Sequence, residues 1–445
     1  MKLSQLAAII NGTLLGSDTT FQGVSIDSRT LKPQELFAAI KGNQFDGHNF
    51  ASAVQEKSAA AVLVERAMDV TIPQLLVPNV IKALGQFAAF HRQQFNIPVI
   101  AITGSCGKTT VKALTASILA QCGPVLFSES SFNNDIGLPL TLLKLKPEHQ
   151  YAVIEMGTNH FGEIAYLTEI TRPTVATITN AAAAHLEGLE SIEGVSRAKG
   201  EIFQGLTQDG IAIINADDTY ADYWDSLVSQ HKTLHFGLAK GADISAKNIR
   251  LDEQGRPQFT LLTPQGEIDI NLPLLGRHNV HNALTAAACA LAVQAPLTAI
   301  QQGLNRAAAV SKRLNEYQGC AGARVIDDSY NANPLSVKAA LEMLATAKGE
   351  KVLVLGDMKE LGSNAEHYHR ELGATAQRLG IEQLYAYGEL SQLAAESFGA
   401  KAQHFSDQSL LISALKSILH PQMTILVKGS RSMHMEQVVA AIVQK

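Results

Sequence analysis

The residues Ala101-Ile-Thr-Gly-Ser-Cys-Gly-Lys-Thr-Thr110 stand between an apolar, strand-like run and the start of a helical one. A strand, a glycine-bearing turn and a helix in that order aim successive backbone N–H groups and a helix N-terminus at one point, an arrangement suited to phosphate oxygens. The pattern constrains the middle of the chain to an open, mostly parallel sheet with its ligand beyond the strand ends. Lys108 would neutralise charge on the outer phosphates, and Thr109 would offer its hydroxyl to Mg²⁺. The common form of this loop has a further glycine five residues before the second one, where this chain has Ile102, so the loop is a shortened GxxGKTT variant. The plainer alternative is an ordinary strand-turn-helix joint. Cys106 is read as a passive loop side chain rather than a redox group.

The chain around this loop has 445 residues, enough for about three domains at the usual size. With 46% hydrophobic and 17% charged residues, each can build its own core. The spacing predicts an α/β protein throughout. Residues 1–82 read as a small mixed unit with strands near 24–26, 35–40 and 60–64. Residues 83–312 carry buried-type strands at 99–103, 152–156, 175–179 and 211–215 alternating with helical stretches, which is a mostly parallel sheet. They add an antiparallel-looking interval over 240–272 and an Ala-rich helix from 276 to about 293. Residues 313–445 repeat the strand-helix rhythm at 324–327, 351–355, 383–387 and 424–427, predicting a separate doubly wound, Rossmann-like domain.

Thirty-six basic against 41 acidic residues give a net charge of -5, which argues against a nucleic-acid-coating protein. No run approaches the roughly 18 apolar residues of a membrane helix, and the N-terminus lacks the pattern of a secretion signal. Four cysteines without CxxC spacing suggest reduced thiols of the cytoplasm.

Several residues carry candidate chemistry. Glu155 ends the buried strand after the loop, and His185 follows a further strand, so both could reach the crevice where a metal would sit; taken singly, each could equally be an ordinary strand-end polar residue. Lys199 interrupts an apolar helical stripe formed by positions 192, 195 and 202. Either its stem snorkels at the stripe edge, or it is a neutral or chemically modified lysine near metal. Carbamylation by CO₂ would turn a repulsive cation into an anionic ligand. Gly276-Arg-His-Asn-Val-His-Asn282 gathers groups suited to nucleotide recognition at a helix start. Asp327-Asp-Ser-Tyr-Asn-Ala-Asn-Pro334, Gly356-Asp-Met-Lys-Glu-Leu-Gly362 and Lys428-Gly-Ser-Arg-Ser-Met433 end three strands on one rim, the pattern of a substrate pocket.

Over nearly its full length the chain resembles the Mur ligases. The resemblance rests on TGSCGKTT, SFNNDIGLPLTLL, IEMGTNHFGEI, NAAAAHLEG followed by AKGEIF, GRHNVHNAL, DDSYNANP, GDMKELG and KGSRSMHME, in the family's order. It implies an ATP-dependent peptide ligase of cell-wall precursor synthesis, with one domain each for a UDP-linked substrate, ATP and the incoming amino acid or dipeptide. DDSYNANP and KGSRSM are closest to the member that joins D-alanyl-D-alanine to UDP-N-acetylmuramoyl-tripeptide through an acyl phosphate. The resemblance assigns Gly104, Ser105, Cys106, Gly107, Lys108, Thr109, Thr110, Asn282, Arg313 and Asp328 to ATP. It gives Ser28, Arg29, Asp46 and His48 (within 41–48), with Asn133 and Asn134, to the UDP substrate. Tyr330, Asn331, Asn333, Ser430 and Arg431 would meet the dipeptide. Thr109, Glu155, His185 and Lys199 as a carbamate would hold Mg²⁺, and Lys108, Lys199, Glu155 and His185 form the implied catalytic set. A cytoplasmic monomer is expected. The family commonly has Pro-Gly before the hinge arginine, whereas this chain has Ser311-Lys312-Arg313. Competing readings are another ligase of this type, adding a diamino acid or glutamate to folate, and a nucleotide-driven switch ATPase.

Overall fold

The computed structural model describes residues 1–42, 45–129 and 132–444. Three sheets of five or six strands follow one another along the chain, each with apolar side chains on both faces. Two-sided burial explains why the inner strands are mostly apolar: all five residues of Val99–Thr103 and all six of Met423–Lys428 are buried.

The first sheet runs in the order Thr13–Leu15, Gln74–Leu76, Ala61–Val64, Glu35–Ala38, Gly23–Ser25, antiparallel only at its first pair. Helix Val80–Gln93 leads out of it, packing Val80, Leu84 and Phe87 into the first core and Ala88 into the second. The boundary expected at 82 therefore lies inside a helix shared by two cores. Asn79 caps this helix by accepting the Lys82 N–H at 2.8 Å.

The second sheet is wholly parallel, in the order Lys232–Phe236, Ile211–Asn215, Val175–Ile178, Val99–Thr103, Tyr151–Glu155, Val125–Phe127. Its register sets Ile102 beside Glu155, so that carboxylate ends level with the glycine loop. The 240–272 interval forms the antiparallel strands Ser245–Leu251, Pro257–Thr263 and Gly266–Asn271. Their apolar face (Phe259, Leu261, Ile270) shares a core with helices Lys108–Leu119 and Asn279–Ala292.

The third sheet has the order Asn315–Gln318, Arg324–Asp328, Met423–Lys428, Glu350–Gly356, Gln383–Tyr387, Ala402–Phe405. All neighbours are parallel except the first pair. The chain's last strand lies between two earlier ones, so the loops after Asp328, Gly356 and Lys428 open side by side at one edge.

Candidate functional site

A cleft of about 1590 Å³ lies where these edges meet and is lined by all three parts of the chain. The glycine loop forms one wall. Gly104 and Gly107 hold φ of 147° and 84°, and a Cβ on them would overlap Thr179 Oγ1 and Asn282 Oδ1 respectively, so both positions need glycine. The loop is tied to the end of strand Val175–Ile178. Ser105 Oγ donates to the Ala182 carbonyl at 3.1 Å and accepts the Ala182 N–H at 2.9 Å. Cys106 N–H donates to Asn180 Oδ1 at 2.9 Å. The Ser105 side chain is thus spent on holding the loop, and the Cys106 thiol donates to Asn333 Oδ1 at 3.1 Å. Lys108 Nζ folds back onto the Gly104 carbonyl at 2.6 Å; burial lowers its pKa against the opposing pull of Glu155. Thr110 and Asn282 line the cleft. Thr109 is buried, and Arg313 Nη2 donates to its hydroxyl at 3.1 Å.

Glu155 is 2% exposed and faces this loop. Asn133 Nδ2 donates to one of its oxygens at 2.9 Å, and Lys112 Nζ lies 3.1 Å from the other. Burial pushes its pKa up, but Lys112, Lys108 and Arg313 outweigh that and hold it below the ordinary value. A buried carboxylate kept ionised by surrounding cations, in the cleft lining beside a phosphate-type loop, fits a hard divalent cation. Lys199 is 1% exposed, so its stem does not snorkel. Burial first, and the charge of Lys108 second, drive its pKa well below that of an ordinary lysine. A buried amine whose charged form is disfavoured suits reaction with CO₂. His185 Nδ1 sits 2.6 Å from Glu360 Oε2 of the third sheet's edge; that imidazole holds the Glu360 carboxyl below the usual range. Among the described residues no three His, Cys, Asp or Glu side chains group around one point.

The rim loops of the third sheet form the opposite wall, and Asp328, Tyr330, Asn331, Asn333, Ser430 and Arg431 all line the cleft. Several are already engaged. Lys428 Nζ pairs with Asp328 and donates to the Asn331 carbonyl at 2.9 Å. Asn333 caps helix Pro334–Ala345 through the Ser336 N–H at 2.9 Å. Ser430 Oγ accepts the Lys359 N–H, and Arg431 pairs with Glu436 at 2.7 Å. Arg313 lies 4.3 Å over the Tyr330 ring. Beside it Lys312 adopts φ of 60°, the left-handed backbone for which glycine is better suited, steadied by Glu436 at 3.1 Å.

The expected UDP residues divide. Asn133 and Asn134 line the cleft, Asn134 also bonding the Gly137 N–H at 2.9 Å. Ser28, Arg29, Asp46 and His48 lie outside the cleft lining, the first two in the loop after strand Gly23–Ser25 and the others at the start of the short helix Gly47–Phe50. In the 41–48 segment, 43 and 44 fall outside the described residues. The His48 imidazole is 1% exposed, contacts Asp46 at 2.6 Å through Nδ1 and accepts the Glu65 N–H at 2.9 Å through Nε2, so both of its nitrogens are engaged within the first domain. Asp46 also pairs with Arg66 at 2.9 Å, while Arg29 is exposed and paired with Asp27.

Sequence reasoning missed Lys112, Asn180 and Glu360. Lys112 had a signal, being one helical turn beyond Lys108 on a helix whose neighbours Val111 and Leu114 are buried. Asn180 and Glu360 lay within quoted motifs, but their partners are distant in sequence.

Family models match most of the chain: "Mur ligase family, catalytic domain" over 20–100, "Mur ligase middle domain" over 102–290 and "Mur ligase, glutamate ligase domain" over 312–431. The Escherichia coli (strain K12) protein named UDP-N-acetylmuramoyl-tripeptide--D-alanyl-D-alanine ligase is 47% identical, covering 99% of this chain and 98% of that one. A crystal structure of MurF from Acinetobacter baumannii superposes with a TM-score of 0.93 at 38% identity, covering 98% of this chain and 97% of that one. MurF from Thermotoga maritima in complex with ADP gives 0.82 at 27%, covering 94% and 96%. With such similarity running through every part of it, this chain belongs to the Mur ligase family.

Proposed function

We propose that this chain joins D-alanyl-D-alanine to UDP-N-acetylmuramoyl-tripeptide at the expense of ATP, giving the pentapeptide precursor of peptidoglycan. The observation that carries this reading is the shared cleft: a phosphate-binding loop and three strand-end loops of another domain face one volume, in a chain 47% identical to a relative named for this reaction.

A carboxylate does not condense with an amine in water, because oxide is too poor a leaving group. Transfer of the γ-phosphoryl group of ATP to the terminal carboxylate of the tripeptide makes an acyl phosphate. The neutral amine of the dipeptide attacks its carbonyl carbon, phosphate departs with the bonding pair, and the amine gives up a proton. Lys108 and Arg313 balance charge on the transferring group. Thr109, Glu155, His185 and carbamylated Lys199 would hold Mg²⁺, which supplies Lewis-acid neutralisation of the phosphoryl oxygens. The Lys199 amine reaches the carbamate by adding to CO₂ and losing a proton, which its burial favours by keeping it uncharged. Tyr330, Asn331, Asn333, Ser430 and Arg431 would receive the dipeptide, with the third domain shielding the acyl phosphate from water. The UDP end would rest on residues 1–82, at Ser28, Arg29 and the Asp46 loop, with cuts near 82 and 312 separating the three duties. One chain supplies every wall of the cleft, which supports a monomer, and nucleotide substrates support the cytoplasm. Among the described residues no helix is long and apolar enough to cross a membrane.

Incubation with ATP, the UDP-linked tripeptide and a choice of amine donors, read by product mass, tests this: only D-alanyl-D-alanine should be incorporated. Incorporation of a diamino acid or glutamate instead would assign the chain to a sister activity.

A further inference from the structure

Glu360 belongs to the third domain yet reaches the start of the short helix Leu186–Leu189 in the second. Besides its carboxylate contact of 2.6 Å with His185 Nδ1, its carbonyl accepts the Leu186 N–H at 2.8 Å. Both partners hold left-handed backbone, φ 56° at His185 and 64° at Glu360. Neither is glycine, and such conformations cost about 1 kcal/mol or more each unless the surroundings enforce them. The Glu360 side chain is 51% exposed, so packing does not force it against the imidazole. Both residues line the cleft, so the contact closes one side of it between the two domains.

A histidine that binds a cation through one ring nitrogen must carry its proton on the other, and a carboxylate at that second nitrogen fixes both tautomer and ring direction. With Nδ1 turned to Glu360, Nε2 is the nitrogen left for the cation. We propose that Glu360 is a positioning residue that orients His185 toward a divalent cation, and that docking of the third domain thereby completes the cation site. The proposal rests on the reading of His185 as a cation ligand. It makes cation affinity and domain closure reciprocal, since whatever favours one favours the other.

The test titrates Mn²⁺ into the full chain with a non-hydrolysable ATP analogue, reading bound cation by electron paramagnetic resonance and closure by small-angle scattering. The variants are Glu360→Gln, Glu360→Asn (asparagine tolerates left-handed backbone), His185→Ala and the double variant His185→Ala with Glu360→Asn, each checked for folding by circular dichroism. Both Glu360 variants should weaken Mn²⁺ binding by about 10-fold or more and stay open at a concentration that closes the parent. The double variant should bind no worse than His185→Ala alone, because Glu360 acts through that ring. Unchanged affinity in both Glu360 variants beside a weakened His185→Ala would overturn the proposal and leave the ligand reading standing. Losses that simply add would also overturn it. Unchanged affinity in His185→Ala would defeat the ligand reading itself, and the proposal with it.

Discussion

Two buried lysines, Lys112 and Lys199, lie behind the cleft lining, and they differ in what they face. Lys112 lies against Glu155, so it neutralises a carboxylate that would otherwise be stranded among buried atoms. Removing one partner of such a pair costs about 3–5 kcal/mol. Lys112→Met should therefore lower the thermal midpoint markedly in cation-free buffer, and less so with Mg²⁺ and ADP present, since a cation on Glu155 takes over the role; equal losses in both buffers would contradict this. Lys199 has no carboxylate partner among the described residues and a strongly depressed pKa. Lys199→Ala should abolish ligation, with partial recovery on adding short carboxylic acids; full activity without them would exclude the carbamate. His278, in the cleft lining, titrates at about 4 instead of 6.5, because burial, then Lys428 and His281, disfavour its cation. The unfolded chain takes up this proton first, so stability falls as pH drops from 6.5 toward 4, by about 3 kcal/mol at most. Urea melts at pH 7 and pH 4.5 should show His278→Gln losing less of its stability on acidification than the parent.

At the scale of elements, the unit at 99–119 folds as the strand, loop and helix that its sequence announces, and two of its glycines have no substitutes. Gly104→Ala would drive a methyl into Thr179 at a φ that alanine rarely adopts, and should cost at least 10-fold in ATP affinity by calorimetry, with the fold retained by circular dichroism. Most inner strands were legible as well, since both their faces are buried, but the three-residue Gln74–Leu76 was not. Of the edge strands of the three large sheets only Gly23–Ser25 showed. Asn315–Gln318 is mostly exposed and polar, and Thr13–Leu15, Val125–Phe127, Lys232–Phe236 and Ala402–Phe405 are short or half-exposed, so no apolar run marks them. The strand-end loops carried the site legibly, but their pairings did not show: Glu360 with His185 and Lys428 with Asp328 are fixed by domain docking and strand order. The inward fold of His48 did not show either, because a polar, glycine-rich connector carries no sign of which side chain it buries.

For the whole molecule, the cleft is the place where three reactants would meet, with no productive outlet for the phosphoryl group unless both acceptor and amine are bound. The hinge bears on this: Lys312 holds by side-chain pairing a backbone conformation suited to glycine, while Arg313 beside it bridges Thr109 and Tyr330 across the domain boundary. The most direct measurement follows ADP release from the purified full chain with ATP and UDP-N-acetylmuramoyl-tripeptide, adding either D-alanyl-D-alanine or D-alanine. Release should be rapid with the dipeptide and near background with D-alanine or with either reactant omitted. Equal release in the absence of any amine donor would contradict this and mark the chain as an ATPase whose hydrolysis serves something other than ligation.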